Sequence, residues 1–192
     1  MVAAAYCFLV AAVMVWSSRV AKPRVRDRII AGLPWRGDER VLDVGCGRGL
    51  FLIAAAKRLT TGRALGVDIW QTKDLSGNRP EATRDNLRAE GVADRAEILS
   101  GDARRLPFSG GSFDLVLSSL AIHNIPSAGE RATAIREMVR VLKPGGRLVI
   151  FDIWHTRQYA ALLREPGVAE LQQSRWSLLW CIPTRVLSAR KA

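Results

Sequence analysis

Histidine and cysteine are scarce in this 192-residue chain: there are two histidines, and three cysteines (Cys7, Cys46 and Cys181) lying far apart with no Cys-x-x-Cys pair. An odd, dispersed set of this kind supports neither a disulfide framework nor a zinc site, and a reducing, cytoplasmic setting fits it. Homopolymeric and Pro/Ser-rich tracts are absent too. With 48% hydrophobic and 24% charged residues, disorder is excluded as an overall description. The length serves one ordinary domain with a sizeable core plus a short appendage, and is too short for two. No internal repeat is visible.

A long apolar run occurs only at the start, where residues 1–16 are uninterruptedly apolar or aromatic before Ser17 and Ser18. A helix of that run would reach ~24 Å at ~1.5 Å per residue, short of a ~30 Å hydrocarbon core. It spans only with the serines and snorkelling arginines included, or with local thinning. A secretory signal normally carries cations before its apolar stretch, whereas here they follow it. Cations on that flank hold the globular part at the cytoplasmic face of a membrane. A membrane anchor, an apolar helix packed on the domain and a cleaved signal all remain open.

Acidic residues are outnumbered, 18 against 29 Lys and Arg, for a net charge of +11. Such an excess suits an anionic partner, either nucleic acid or a membrane surface. The charge is scattered arginine, apart from seven cations (Arg19, Lys22, Arg24, Arg26, Arg28, Arg36, Arg40) set against three acids directly behind the apolar start. Nucleic acid is therefore the weaker of the two partners. The chain divides into a hydrophobic segment (1–18), a basic linker or helix (19–37) and a domain (38–192).

Within the domain, short apolar runs alternate with helical patterns, the signature of βαβ units and a doubly wound, mostly parallel α/β sheet. Strands are expected at 40–44, 64–69, 96–99, 114–118 and 147–153, with helices at 49–59, 79–90 and 128–142. A short helix (155–164) and two more strands (168–173 and 179–189) complete a seven-stranded sheet. Asn78, Pro80 and Glu81 read as a capping box opening the second helix. The segment Lys143-Pro144-Gly145-Gly146 reads as the stop of the third.

Residues 41–49, VLDVGCGRG, are an apolar strand running into a glycine-rich turn that opens a helix. Glycines there let the backbone turn sharply and a ligand approach without a Cβ in the way. Such a pattern is weak alone, but two acids reinforce it. Asp68 ends the second strand, 23 residues after Gly45, where an acid grips ribose hydroxyls in a nucleotide crevice. Asp102, in GDARRLPF, follows the third strand. All three features lie at the sheet edge where open α/β folds bind ligands. A dinucleotide-binding domain wants G-x-G-x-x-G, and here the third glycine arrives early, at Gly49.

These segments resemble those of class I S-adenosylmethionine-dependent methyltransferases, above all the ubiquinone/menaquinone-type and other small-molecule branch. LDVGCGRG, GVDIW, GDARRLPF, FDLVLSSLAIHN and VLKPGGRLVI follow in the family's order and spacing from Arg40 to Ile153. The resemblance implies an enzyme whose cofactor is S-adenosylmethionine. Gly45, Cys46, Gly47 and Gly49 would line its methionine part, with Asp43 ordering the turn and meeting the amino group. Asp68 would hold both ribose hydroxyls, with Ile69 and Trp70 beside the adenine. Asp102 and Ala103 would meet the adenine edge, and Ser118, Ser119 and Leu120 would lie under the sulfonium. For the two serines, satisfaction of backbone groups at a strand end is the plainer role.

Methyl transfer from a sulfonium is a direct displacement on an activated donor, so proximity, orientation and exclusion of water carry most of the rate. For a hydroxyl or phenol acceptor a base helps, and His123, in the loop after the fourth strand, is the candidate; a histidine merely satisfied by backbone is the alternative. His155 and Asp152 are weaker candidates, since the fifth strand's end lies farther along the sheet. The Asn/Asp-Pro-Pro-aromatic motif common in methyltransferases of base or glutamine nitrogens is absent, and no substrate-capping domain is inserted. The acceptor pocket would be built from the region before Arg40, residues 122–129 and residues 71–79, the last a lid or a plain surface insertion. A small-molecule or lipid-like acceptor at the membrane is the expected substrate. A membrane-tethered module of the same fold without turnover, and an RNA methyltransferase resting on charge alone, are the other readings.

Overall fold

The computed structural model describes residues 6–8, 11, 15–73, 75–177 and 183–192. After a π-helical turn at Ser17–Ala21, helix α1 spans Lys22–Ala31, and its second residue, Pro23, suits a first turn whose amide has no helical partner. The strands are β1 (Arg40–Val44), β2 (Arg63–Asp68), β3 (Ala96–Ser100), β4 (Phe113–Ser119), β5 (Leu142–Asp152), β6 (Val168–Gln173) and β7 (Arg185–Lys191). Between them lie α2 (Leu50–Ala56), α3 (Pro80–Ala89), a 3-10 turn (Ile122–Asn124), α4 (Ala128–Val141) and α5 (Thr156–Leu162).

The seven strands form one sheet in the order β3-β2-β1-β4-β5-β7-β6. The pairs β1–β2, β2–β3, β1–β4 and β4–β5 are parallel, while β7 runs antiparallel to both β5 and β6. The sheet is therefore mixed. Among the described residues no crossover helix lies between β6 and β7, in keeping with their antiparallel pairing.

Both faces of the sheet are covered, which explains the near-continuous apolar strands. Leu42, Val44, Val116, Leu148 and Ile150 pack under α4 and α5 with Ile135, Met138 and Tyr159. The alternate residues Val41, Leu115, Leu117, Val149 and Phe151 pack under α1, α2 and α3 with Ile30, Phe51, Leu52 and Leu87. Asp43 occupies that second face's alternation and is buried.

Three local expectations need correction. Asn78 does not cap α3: Arg79, in extended conformation, holds the cap position without a side-chain bond, and the Asn78 amide is turned inward onto Asp68. Residues 143–146 do not follow the helix as a separate stop, because β5 already begins at Leu142 and carries them past an irregularity in its pairing with β4. Helix α4 is opened by Ser127, whose hydroxyl accepts from the Glu130 amide. The expected last strand begins later, at Arg185, and residues 178–182 lie outside the described ones.

Among the described residues no helix is long and apolar enough to cross a membrane. The expected N-terminal hydrophobic helix is thus not found as a membrane-crossing one: the described residues 6–8, 11, 15 and 16 are helical, and the rest of 1–14 lies outside the described residues. Tyr6, Phe8, Val15 and Trp16 are exposed.

Candidate active site

The carboxyl ends of β1, β2 and β4 surround a cavity of about 650 Å³. Its floor is the turn after β1. Gly45 has φ +73°, and a Cβ there would come within 2.2 Å of the Ala121 Cβ, so the position admits no side chain. The Gly45 and Cys46 amides both donate to the Val67 carbonyl, at 2.7 and 3.2 Å, which welds the turn to β2. Gly49, with φ +87°, caps α2.

Asp68 accepts three bonds: from the Gly47 amide (2.8 Å), the Trp70 amide (2.7 Å) and the Asn78 side chain (3.1 Å). It thereby joins the glycine turn to the following loop. That loop is also held by the Arg48 guanidinium, which donates to the Ser76 carbonyl at 2.6 Å. Gln71, Lys73, Leu75 and Asn78 all face the cavity, so this connection covers the site.

Asp43 lines the same cavity, almost wholly inaccessible to solvent, and its Oδ1 has no hydrogen-bond partner among the described residues. Burial pushes its carboxyl up to about 7; the Leu52 backbone amide opposes the rise and the charge of Asp68 adds to it. The buried Cys46 thiol is pushed up as well, by burial first and then by Asp43 and Asp68.

On the adenine side expected from the sequence, Asp102 and Ala103 line the cavity. Both Asp102 oxygens are already engaged by Arg104, through Nε at 3.0 and 2.9 Å and Nη2 at 2.6 Å. That guanidinium holds the carboxyl below the usual carboxylate range. Arg104 also reaches Glu130 at 2.6 Å, at the start of α4.

The opposite wall is apolar, formed by Leu120, Ile122, Ile125, Pro126 and Ile153 around His123. The His123 Nδ1 meets Asp152 Oδ1 at 2.5 Å. Asp152 is fully buried and takes three further donors: the His123 and Ile153 amides and the Tyr159 hydroxyl. The other groups around the Asp152 carboxyl are all donors, so it accepts here and His123 Nδ1 is the donor of this pair. Trp154 packs edge-on against the imidazole at 5.7 Å. Buried Arg131 donates to the Ile125 and Pro126 carbonyls, at 2.8 Å each, and pins this loop to α4.

Of the residues singled out from the sequence, Asp43, Gly45, Cys46, Gly47, Asp68, Ile69, Asp102, Ala103, Ser119, Leu120 and His123 all meet at this one cavity. Gly49, Trp70 and Ser118 stand outside its lining. Trp70 takes φ +58°, and its indole donates to Ser100 on β3 instead. Ser118 is buried and donates to the Val44 carbonyl at 2.9 Å, the plainer of its two roles. Asp152 is not remote, because β5 pairs with β4 in register, Ser119 opposite Phe151, which sets the two strand ends side by side. His155 stays outside the lining; burial, followed by Arg131, lowers its pKa. Lys22 and Asn78 fall in the regions expected to build the acceptor pocket, whereas nothing local in the sequence marks Arg131, a helix residue tied to a separate loop.

Residues 42–150 match the family model described as a methyltransferase domain. The chain belongs to this family of S-adenosylmethionine-dependent methyltransferases. It is 35% identical over 133 residues to the 27-O-demethylrifamycin SV methyltransferase of Amycolatopsis mediterranei, covering 69% of this chain and 45% of that one. To the demethylmenaquinone methyltransferase of Lactiplantibacillus plantarum it is 34% identical over 128 residues, covering 66% of this chain and 50% of the relative. The chain therefore spans about half the length of these curated relatives. Among solved structures, a methyltransferase from Aquifex aeolicus superposes with a TM-score of 0.67 at 16% identity, over 87% of this chain and 89% of the other. The cyclase SpnF superposes at 0.71 and 21%, over 88% and 81%. At such identities these two establish the fold.

The cavity fits the cofactor of this family. A turn that admits no Cβ leaves room for close approach, Asp68 brings an acceptor carboxyl to the cavity at the end of β2, and Asp43 has an oxygen lacking a partner.

Proposed function

We propose that this methyltransferase-family domain transfers a methyl group from S-adenosylmethionine to an oxygen of a small, largely apolar acceptor, with His123 as the base. The observation that carries this reading is the His123–Asp152 pair, at 2.5 Å, on the apolar wall of the cavity that the glycine turn and Asp68 also line.

The bound donor supplies an electrophilic methyl on a sulfonium, and the protein's task is to align, desolvate and deprotonate. Asp43, Gly45 and Asp68 fix the donor end. Leu120, Ile122, Ile125, Pro126 and Ile153 exclude water from the acceptor end, where every electrostatic contact is then strengthened. His123 Nε2 takes the acceptor's proton, and Asp152 stabilises the imidazolium that results, through Nδ1. Two relatives are named 27-O-demethylrifamycin SV methyltransferase and demethylmenaquinone methyltransferase, and the first name specifies an oxygen, which supports this reading.

A screen of alcohols, phenols, quinols and thiols with isotopically labelled donor tests the reading. Turnover on a hydroxyl, lost in His123→Ala while cofactor binding persists, is expected; transfer only to acceptors that need no base, unaffected by His123→Ala, overturns the oxygen assignment.

A second observation bears on where the acceptor comes from. Tyr6, Phe8, Val15 and Trp16 are exposed directly before a run holding Arg19, Lys22, Arg24, Arg26 and Arg28, and Lys22 also lines the cavity. Exposed aromatics beside clustered cations are the chemistry of an anionic bilayer surface. A lipid-soluble acceptor delivered there would enter beside α1.

A further inference from the structure

Asp43 is the one cavity-lining carboxyl among the described residues that is shut off from solvent and yet carries an unpartnered oxygen. Asp68 has three donors and Asp102 has a guanidinium, so both are compensated where they stand. An ionised carboxylate with an orphaned oxygen in a dry setting is costly, and two routes relieve it: a bound proton or an approaching cation. The surroundings point to the proton when the cavity holds no ligand. Asp68 on β2 adds like charge, Cys46 in the turn contributes a thiol held neutral, and α2 offers only the Leu52 backbone amide and apolar side chains. Lys22 from α1, His123 after β4, Arg104 after β3, and Arg48 and Lys73 beside the covering loop are the cationic or titratable groups elsewhere on the cavity wall. His123 is engaged by Asp152, Arg48 by the Ser76 carbonyl and Arg104 by Asp102 and Glu130.

We infer that Asp43 is a proton-exchange site: it is protonated in the empty cavity and releases that proton to solvent when a ligand ammonium arrives to take its place. The exchange balances, since one O–H bond breaks, the proton goes to buffer, and the carboxylate so formed pairs with the incoming cation. A ligand lacking an ammonium cannot drive it. The residue thereby becomes a charge test on the amino-acid end of the ligand, distinct from the ribose contacts at Asp68. The rise of the Asp43 carboxyl to about 7 places this exchange in the neutral range.

This inference rests on the proposed cofactor reading, and calorimetry separates the two. S-adenosylhomocysteine, which has the ammonium, and 5′-methylthioadenosine, which lacks it, are titrated into the full chain at pH 6.5 in phosphate and in an amine buffer. Heat differences between the buffers report protons released. Close to one proton is expected with S-adenosylhomocysteine and none with 5′-methylthioadenosine. The affinity for S-adenosylhomocysteine should rise by up to about tenfold per pH unit below 7 and level off above it. Asp43→Asn, nearly isosteric, should abolish both the proton release and the pH dependence while 5′-methylthioadenosine still binds. Binding of S-adenosylhomocysteine without proton release, or with equal release in Asp43→Asn, overturns the inference and leaves the cofactor reading intact. Absence of binding by either compound overturns the cofactor reading itself.

Discussion

Asp68 and Asp43 line one cavity in opposite states of compensation. Asp68 is served by two amides and the Asn78 side chain, so its oxygens are compensated where they stand. Replacing it with Ala removes charge-assisted bonds, which are worth ~1.5–3 kcal/mol, and cofactor affinity measured by calorimetry should fall by about that amount. Asp43 has the reverse effect on the unliganded fold. Its folded pKa, about 7, lies above the ordinary aspartate value of 3.8, so its contribution to stability is fully present below about pH 4 and is lost as pH rises through 7. Asp43→Asn should therefore melt higher than the parent at pH 8 and show no such advantage at pH 4. Equal melting temperatures at pH 8 would show the carboxylate to be compensated. His123 acts in a third way, through a partner beneath it. His123→Ala and Asp152→Asn should each lower turnover of a hydroxyl acceptor by ~10²–10⁴-fold with little change in cofactor affinity, in steady-state kinetics.

Elements, rather than single residues, set the site's shape. The parallel ends of β1, β2 and β4 deliver Asp43, Asp68 and the 119–126 loop to one edge, and the register of β4 with β5 brings Asp152 under His123. The glycine turn is the tightest joint in this arrangement. Gly45→Ala meets both a positive φ and the Ala121 Cβ, so it should push the turn from the 119–126 loop, lowering the melting temperature and cofactor affinity together. An unchanged affinity would mean that the loop yields freely. The covering loop is held more lightly. Arg48→Ala, which frees the Ser76 carbonyl, should speed cofactor dissociation by an amount on the order of 1 kcal/mol, read by stopped-flow displacement, with the melting point almost unmoved.

For the whole molecule, the apolar start and the cations behind it bear on how the acceptor is delivered. Sedimentation with anionic phosphatidylglycerol vesicles, but not with neutral phosphatidylcholine, is expected of the full chain. Arg24→Glu with Arg28→Glu should weaken that binding, each surface cation being worth about 1 kcal/mol, while leaving cofactor binding as it was. Equal sedimentation of parent and variant on both vesicles would remove the surface reading.

Much of the binding crevice was legible from the chain itself, because the glycine turn, Asp68 and Asp102 are each tied to a strand end by a local rule. A strand that must stop, a turn that must accept positive φ and an acid one residue from a loop all write themselves into contiguous residues. The same locality accounts for the misreadings. Asn78 follows the pattern of a helix cap, yet its amide found a buried carboxylate ten residues back, a stronger partner than a solvated helix end. Trp70 lies next to the crevice in sequence and turns away from it, because a backbone φ of +58° decides its direction. The pairing of His123 with Asp152, the orphaned oxygen of Asp43 and the antiparallel seventh strand belong to the tertiary structure alone. Each depends on which strands become neighbours and in what register, and hydrophobic alternation is equally satisfied by many such arrangements until the two packed faces of the sheet select one.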